Sequence, residues 1–149
     1  MVQKSFSDSV EIGAPSDRVF AFIADPKTGT QWIKGVTKIE LIDEPPSRVG
    51  MRFRATRSVS GRESTEEISI TRYEPNTAVS VGAGLMGGGI VLSIDYRLTP
   101  TASGTRVDST TSGETKSFGS RLIFGMFWRA VTENDAGNLR TLKSILERT

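Results

Sequence analysis

Tyr96, Arg57, Glu66 and Asp135 are the residues here whose types and positions can carry chemistry. A tyrosine hydroxyl can donate a hydrogen bond to a carbonyl and serve as acid in an aldol or dehydration step. A guanidinium and a carboxylate on neighbouring strands can pair, or hold a ligand carboxylate or enol. The chain has 0 His and 0 Cys, which removes the commonest general base, the Ser-His-Asp triad, the Cys nucleophile and any disulfide. Thiolate and imidazole metal sites go with them, and no D-x-D-x-D-G cluster marks a hard-cation site. No metal and no cofactor are therefore expected.

Gly82, Gly84 and Gly87 spell G-x-G-x-x-G within VGAGLMGGGIVL. That pattern cradles a dinucleotide only where a helix opens after it. Here Ile90, Leu92, Ile94, Tyr96 and Leu98 are apolar at every second position, the period of a half-buried strand. Val79, Val81 and Ala83 alternate before the glycines, so the segment reads as a hairpin with a glycine-rich tip.

The remaining elements follow from period and turn chemistry. Phe6, Val10 and Ile12 share one face of a first strand. Ser16 can cap a helix with Asp17 in its first turn, and Val19, Phe20, Phe22 and Ile23 form its apolar face before Asp25-Pro26. A second short helix or turn covers residues 28–33, with Trp32. Strands follow over residues 36–42, 51–59, 63–73, 78–84, 90–99 and 106–112, the last with Val107 inward. From residue 118 the period becomes helical through Trp128, Val131, Leu139, Leu142 and Leu146. That helix would span about 30 residues, or about 45 Å, though Gly119, Gly125 and Gly137 weaken it locally. The fold class is α+β: a seven-stranded antiparallel sheet curved around a long C-terminal helix, with two short helices after the first strand, as one domain over residues 1–149.

Such a sheet and helix cannot touch everywhere, and the gap between them is the expected binding cavity. Its expected lining is Trp32, Phe53, Arg57, Ile68, Ile70 and Leu92, then Ile94, Tyr96, Phe124 and Trp128. Trp32 is placed at the mouth, as a lid or as a staple between the short helix and the sheet. Polar groups in phase with inward apolar ones are the informative exceptions. Arg57 continues Met51, Phe53 and Ala55; Glu66 and Arg72 bracket Ile68 and Ile70; Asp8 lies between Phe6 and Val10; Asp135 lies near the helical stripe. A charge facing an apolar cavity is costly unless paired, so such positions tend to be functional. The competing account is that strand ends emerge into water or a bulge flips the phase.

The net charge of +2 is too balanced to indicate a nucleic-acid partner, and Arg52, Arg54, Arg57 and Arg62 have no interleaved aromatics for base stacking. The longest apolar run, LIFGMFW, is too short for an integral membrane segment and fits a lid or a homodimer contact. No apolar signal core opens the chain, so a cytoplasmic location is expected.

Several strings resemble the START-like, or Bet v 1-like, helix-grip superfamily, and within it the bacterial polyketide cyclase/dehydrase-like (SRPBCC) proteins. They are VEIGAPSDRVFAFIADP, QWIKGV, Val49-Gly50, RYEPN, YRLTPTASGTRV and LRTLKSILE. The resemblance spans nearly the whole chain and is specific for fold rather than for one reaction. It implies a cavity for a lipid, polyketide-like or aromatic ligand. Polyketide aromatases of this kind often place His, Tyr, Arg or carboxylates in the cavity, and this chain departs from that pattern in having 0 His. Three roles follow: binding a small hydrophobic or amphipathic ligand; cyclase or dehydratase chemistry through Tyr96 with Arg57, Glu66 or Asp135; or protein interaction on the same fold.

Overall fold

The structure is a computed structural model, described here for residues 2–59, 61–85, 90–115, 128–129, 132 and 137–148. Strand β1 (Val2–Ile12) leads into helix α1 (Ser16–Ala24), a 3₁₀ turn (Pro26–Thr28) and helix α2 (Gly29–Trp32). Six strands follow: β2 (Val36–Leu41), β3 (Arg52–Val59), β4 (Arg62–Glu74), β5 (Ala78–Leu85), β6 (Ile90–Thr101) and β7 (Gly104–Thr115). Helix α3 (Asn138–Glu147) ends the fold. All neighbouring strands are antiparallel, in the order β1-β7-β6-β5-β4-β3-β2. Strands β1 and β2 are therefore opposite edges of one sheet. The chain crosses between them through α1 and α2, which is why these short helices span the sheet.

Three local features differ from the sequence expectations. Ser16 does not cap α1; Pro15 holds the cap position, and the Ser16 hydroxyl instead lies 3.0 Å from the Thr105 hydroxyl on β7. The C-terminal helix is not one continuous rod: Gly137 has φ +92, a left-handed conformation that breaks the helical path before α3. Trp128, Arg129 and Thr132 upstream are also helical. Arg72 does not face inward. The β4–β5 register slips by one residue between Ile70 and Arg72, and this bulge turns Arg72 outward to Glu74 at 3.4 Å while Tyr73 enters the core.

The core lies between the inner sheet face and α1, α2 and α3. Leu139, Leu142 and Leu146, at helical spacing, are buried in one core cluster with Ile12, Leu98 and Val107. At its C-terminal end α3 is fastened to the β1–α1 connection. Glu147 accepts hydrogen bonds from the Gly13 N–H and the Lys143 ammonium, both at 2.8 Å, and Lys143 also donates to the Glu11 carbonyl at 2.7 Å. These two bonds hold the Glu147 carboxyl below its usual pKa, the Lys143 bond contributing most. At its other end, Asn138 Oδ1 accepts the Lys34 N–H at 3.0 Å and joins α3 to the end of α2.

Candidate functional site

Tyr96 and Trp32 stand at the centre of the space under the sheet. Tyr96 is inward on β6 and Trp32 closes α2; both are buried, with ring centroids 5.6 Å apart and planes at 63°. An edge-to-face pair of this kind adds a specific contact to the area it buries. The two rings, with Ile94, line a chamber on each side.

The first chamber holds about 80 Å³ and runs from α1 and α2 to strands β2–β6. Its walls are mostly apolar, among them Ile23, Ile39, Phe53, Ile68, Ile70 and Val81. Arg57, half-buried, reaches this chamber from β3 as the sequence phase indicates. A space of this size suits a compact ring or short chain, and is smaller than the ~300–1,000 Å³ of drug-sized sites. The second chamber holds about 20 Å³ and is the more polar of the two: Asp8, Ser109, Thr111 and Asn138 line it, with Phe6, Leu139 and the two rings completing its walls.

Of the residues expected to line the cavity, Trp32, Phe53, Arg57, Ile68, Ile70, Ile94 and Tyr96 border the larger chamber. Leu92 and Trp128 lie elsewhere on the inner face. The six-membered ring of Trp128 sits over Gly113 so closely that a Cβ there would meet Trp128 Cζ3 at 2.7 Å and Leu92 Cδ2 at 3.1 Å. Gly113 is thus the dimple that seats Trp128. Phe124, Val131 and Asp135 lie outside the described residues.

Glu66 lines neither chamber. It pairs with Ala55, while Arg57 pairs with Ser64, so the two charges are diagonal neighbours at the far end of β3 and β4. Tyr96 pairs with Val79, and Val79 with Tyr73. Glu66 is seven positions before Tyr73, one of them taken up by the bulge, which places it about 20 Å along the sheet from the row of Tyr96. The pair cannot act on one ligand atom.

Sequence reasoning placed Val107 inward on β7 but missed the hydroxyls that share its face. Thr105, Ser109, Thr111 and Thr115 are buried there in phase with Val107. Thr105 donates to the Ala14 carbonyl at 2.8 Å. The available signal was that phase: extending the alternation from Val107 puts a stripe of hydroxyls on the core side.

The glycine pattern is resolved in favour of the hairpin. Gly82 and Gly84 lie within β5, paired with Ser93 and Val91 of β6, and Leu85 pairs with Ile90. Gly87 lies outside the described residues.

A curved seven-stranded antiparallel sheet gripping a C-terminal helix, with two small helices closing one end, defines the Bet v 1-like helix-grip fold. The chain belongs to the family described as polyketide cyclase / dehydrase and lipid transport, whose model matches residues 3–147. Among solved structures it is similar to the Zhui aromatase/cyclase from Streptomyces sp. R1128, with TM-score 0.82 and 17% identity over 99% of this chain and 95% of that one. The di-domain ARO/CYC StfQ of the steffimycin biosynthetic pathway gives TM-score 0.78 and 16% identity over 98% of this chain and 51% of that one. This chain thus spans about half of that di-domain protein. Ara h 8.0201 gives TM-score 0.75 and 13% identity over 99% of this chain and 100% of that one. At these identities the likeness is one of fold. No curated protein matches the chain in sequence. Among the described residues, no helix is long and apolar enough to cross a membrane.

Proposed function

We propose that this protein binds a small hydrophobic or amphipathic ligand in the chamber between its sheet and its helices. The observation that carries the reading is the apolar chamber of about 80 Å³, into which Arg57 reaches. An apolar ligand seated there would take these walls out of water, which is the driving force for binding.

The enzyme alternative needs an acid and a base on one ligand atom. The distance between the rows of Tyr96 and Glu66 disfavours that pair. The protein-interaction alternative needs an exposed apolar patch. Among the described residues Val49, at 59% exposure, is the large apolar side chain left in solvent, and one side chain is no patch. Binding is therefore the reading with most support. Native mass spectrometry of protein purified from its own host tests it. A bound organic molecule, released on denaturation, is the expected result; repeated recovery of ligand-free protein would count against it.

A further inference from the structure

We infer that the small polar chamber behind Trp32 and Tyr96 is a subsite for a hydroxyl group, so that the ligand is an alcohol or phenol with its apolar body in the larger chamber. The inference rests on the binding role proposed above. It is built from the sheet register. Asp8 on β1 lies opposite Ser109 on β7, and Ser109 opposite Tyr96 on β6, a single row across three strands. Thr111 occupies the next inward position, paired with Phe6 and Ile94. Asn138 closes the chamber from the start of α3.

These groups have unused hydrogen-bonding capacity. Ser109 and Thr111 are 8% and 4% exposed, and among the described residues neither hydroxyl has a hydrogen-bond partner. Asn138 is 8% exposed. Its Oδ1 is taken by the Lys34 N–H, which fixes the amide orientation and leaves Nδ2 as a donor. Asp8 uses Oδ1 for the Ser9 N–H at 2.9 Å, leaving Oδ2 as an acceptor.

The chamber thus offers one carboxylate acceptor and several neutral donors, in space for about one oxygen-sized group. A hydroxyl satisfies both, donating a hydrogen bond to Asp8 and accepting one from Ser109, Thr111 or Asn138. A carboxylate head has no proton for Asp8 and meets its charge. An ammonium head can donate to Asp8 and to either hydroxyl but has no lone pair for Asn138 Nδ2. The Trp32–Tyr96 wall is shared by both chambers, so an aromatic or alkyl body on the apolar side can place its polar end on the other.

Fluorine NMR titrations with para-fluorophenol, para-fluorotoluene and para-fluorobenzoate test this. The phenol and toluene have nearly the same shape, and a purely apolar pocket favours the toluene, which surrenders no hydration. Wild type is expected to bind the phenol about tenfold more tightly than the toluene, the effect of one well-made hydrogen bond to a charged group, and the benzoate least. Thr111→Val and Asp8→Leu should each erase the phenol preference and leave toluene affinity unchanged. If Asp8→Leu does not fold, the isosteric Thr111→Val carries the comparison alone. Toluene binding without a phenol preference, or a preference that survives the substitutions, overturns the hydroxyl subsite and leaves the cavity intact. Failure of every probe to bind overturns both.

Discussion

Trp32 stands edge-to-face on Tyr96, centroid to centroid 5.6 Å, and this contact divides the interior into an apolar and a polar chamber. It also holds α2 to β6. Trp32→Ala is expected to merge the chambers and destabilise the fold by about 3–5 kcal/mol, the range for truncating a buried large aromatic. Urea unfolding checks it; a loss under about 1 kcal/mol would mean that the ring is not packed as described.

Gly113 makes room for Trp128, so Gly113 on β7 and Gly82 on β5 should respond differently to an added Cβ. Gly113→Ala forces a Cβ to within 2.7 Å of Trp128 Cζ3 and should destabilise, by about 1–3 kcal/mol as overpacking does. A Cβ at Gly82 meets Thr71 Cγ2 at 3.4 Å and the Leu92 carbonyl at 3.6 Å, ordinary contacts. Gly82→Ala should therefore be neutral or stabilise by up to about 1 kcal/mol, since Ala loses less backbone freedom on folding. Thermal melts of both variants give the comparison, and equal destabilisation would contradict the seat under Trp128.

The Glu147 latch predicts a dependence on pH. Its carboxyl has a pKa lowered by Lys143 and the Gly13 N–H. Its stabilisation is therefore present above the ordinary glutamate pKa and is lost as pH falls through the lowered one. Glu147→Gln should lower Tm slightly near neutral pH, the group being solvent-exposed and screened, with the difference from wild type closing in acid. A Tm difference that stays constant from neutral to acid pH would show that the carboxylate charge is not involved.

Much of the site was legible because alternation is a strong signal where a strand is long and one face is apolar. Ile90 through Leu98 and Met51 through Arg57 showed their inward sides by period alone. The bulge before Arg72 was not legible, because one extra residue in a strand leaves no mark in a single sequence, yet it reverses every side chain after it. The polar chamber was hidden for another reason. Ser and Thr on β7 carry no apolar signal of their own, and only their phase with Val107 marks them as inward. The break at Gly137 was visible as a weak point in the helix, but glycine tolerates both a helical and a left-handed φ, so its type alone did not show which is adopted.

The central claim is that the inner sheet face borders a chamber that takes an apolar ligand, and one titration tests it most directly. Para-fluorotoluene would be titrated by fluorine NMR into wild type, Phe53→Arg and Arg97→Ala. Phe53 is 6% exposed and lines the chamber, whereas Arg97 is exposed on the outer face. Saturable binding to wild type and Arg97→Ala, with none to a folded Phe53→Arg, is the predicted result. Equal binding to all three, or binding to none, would contradict it.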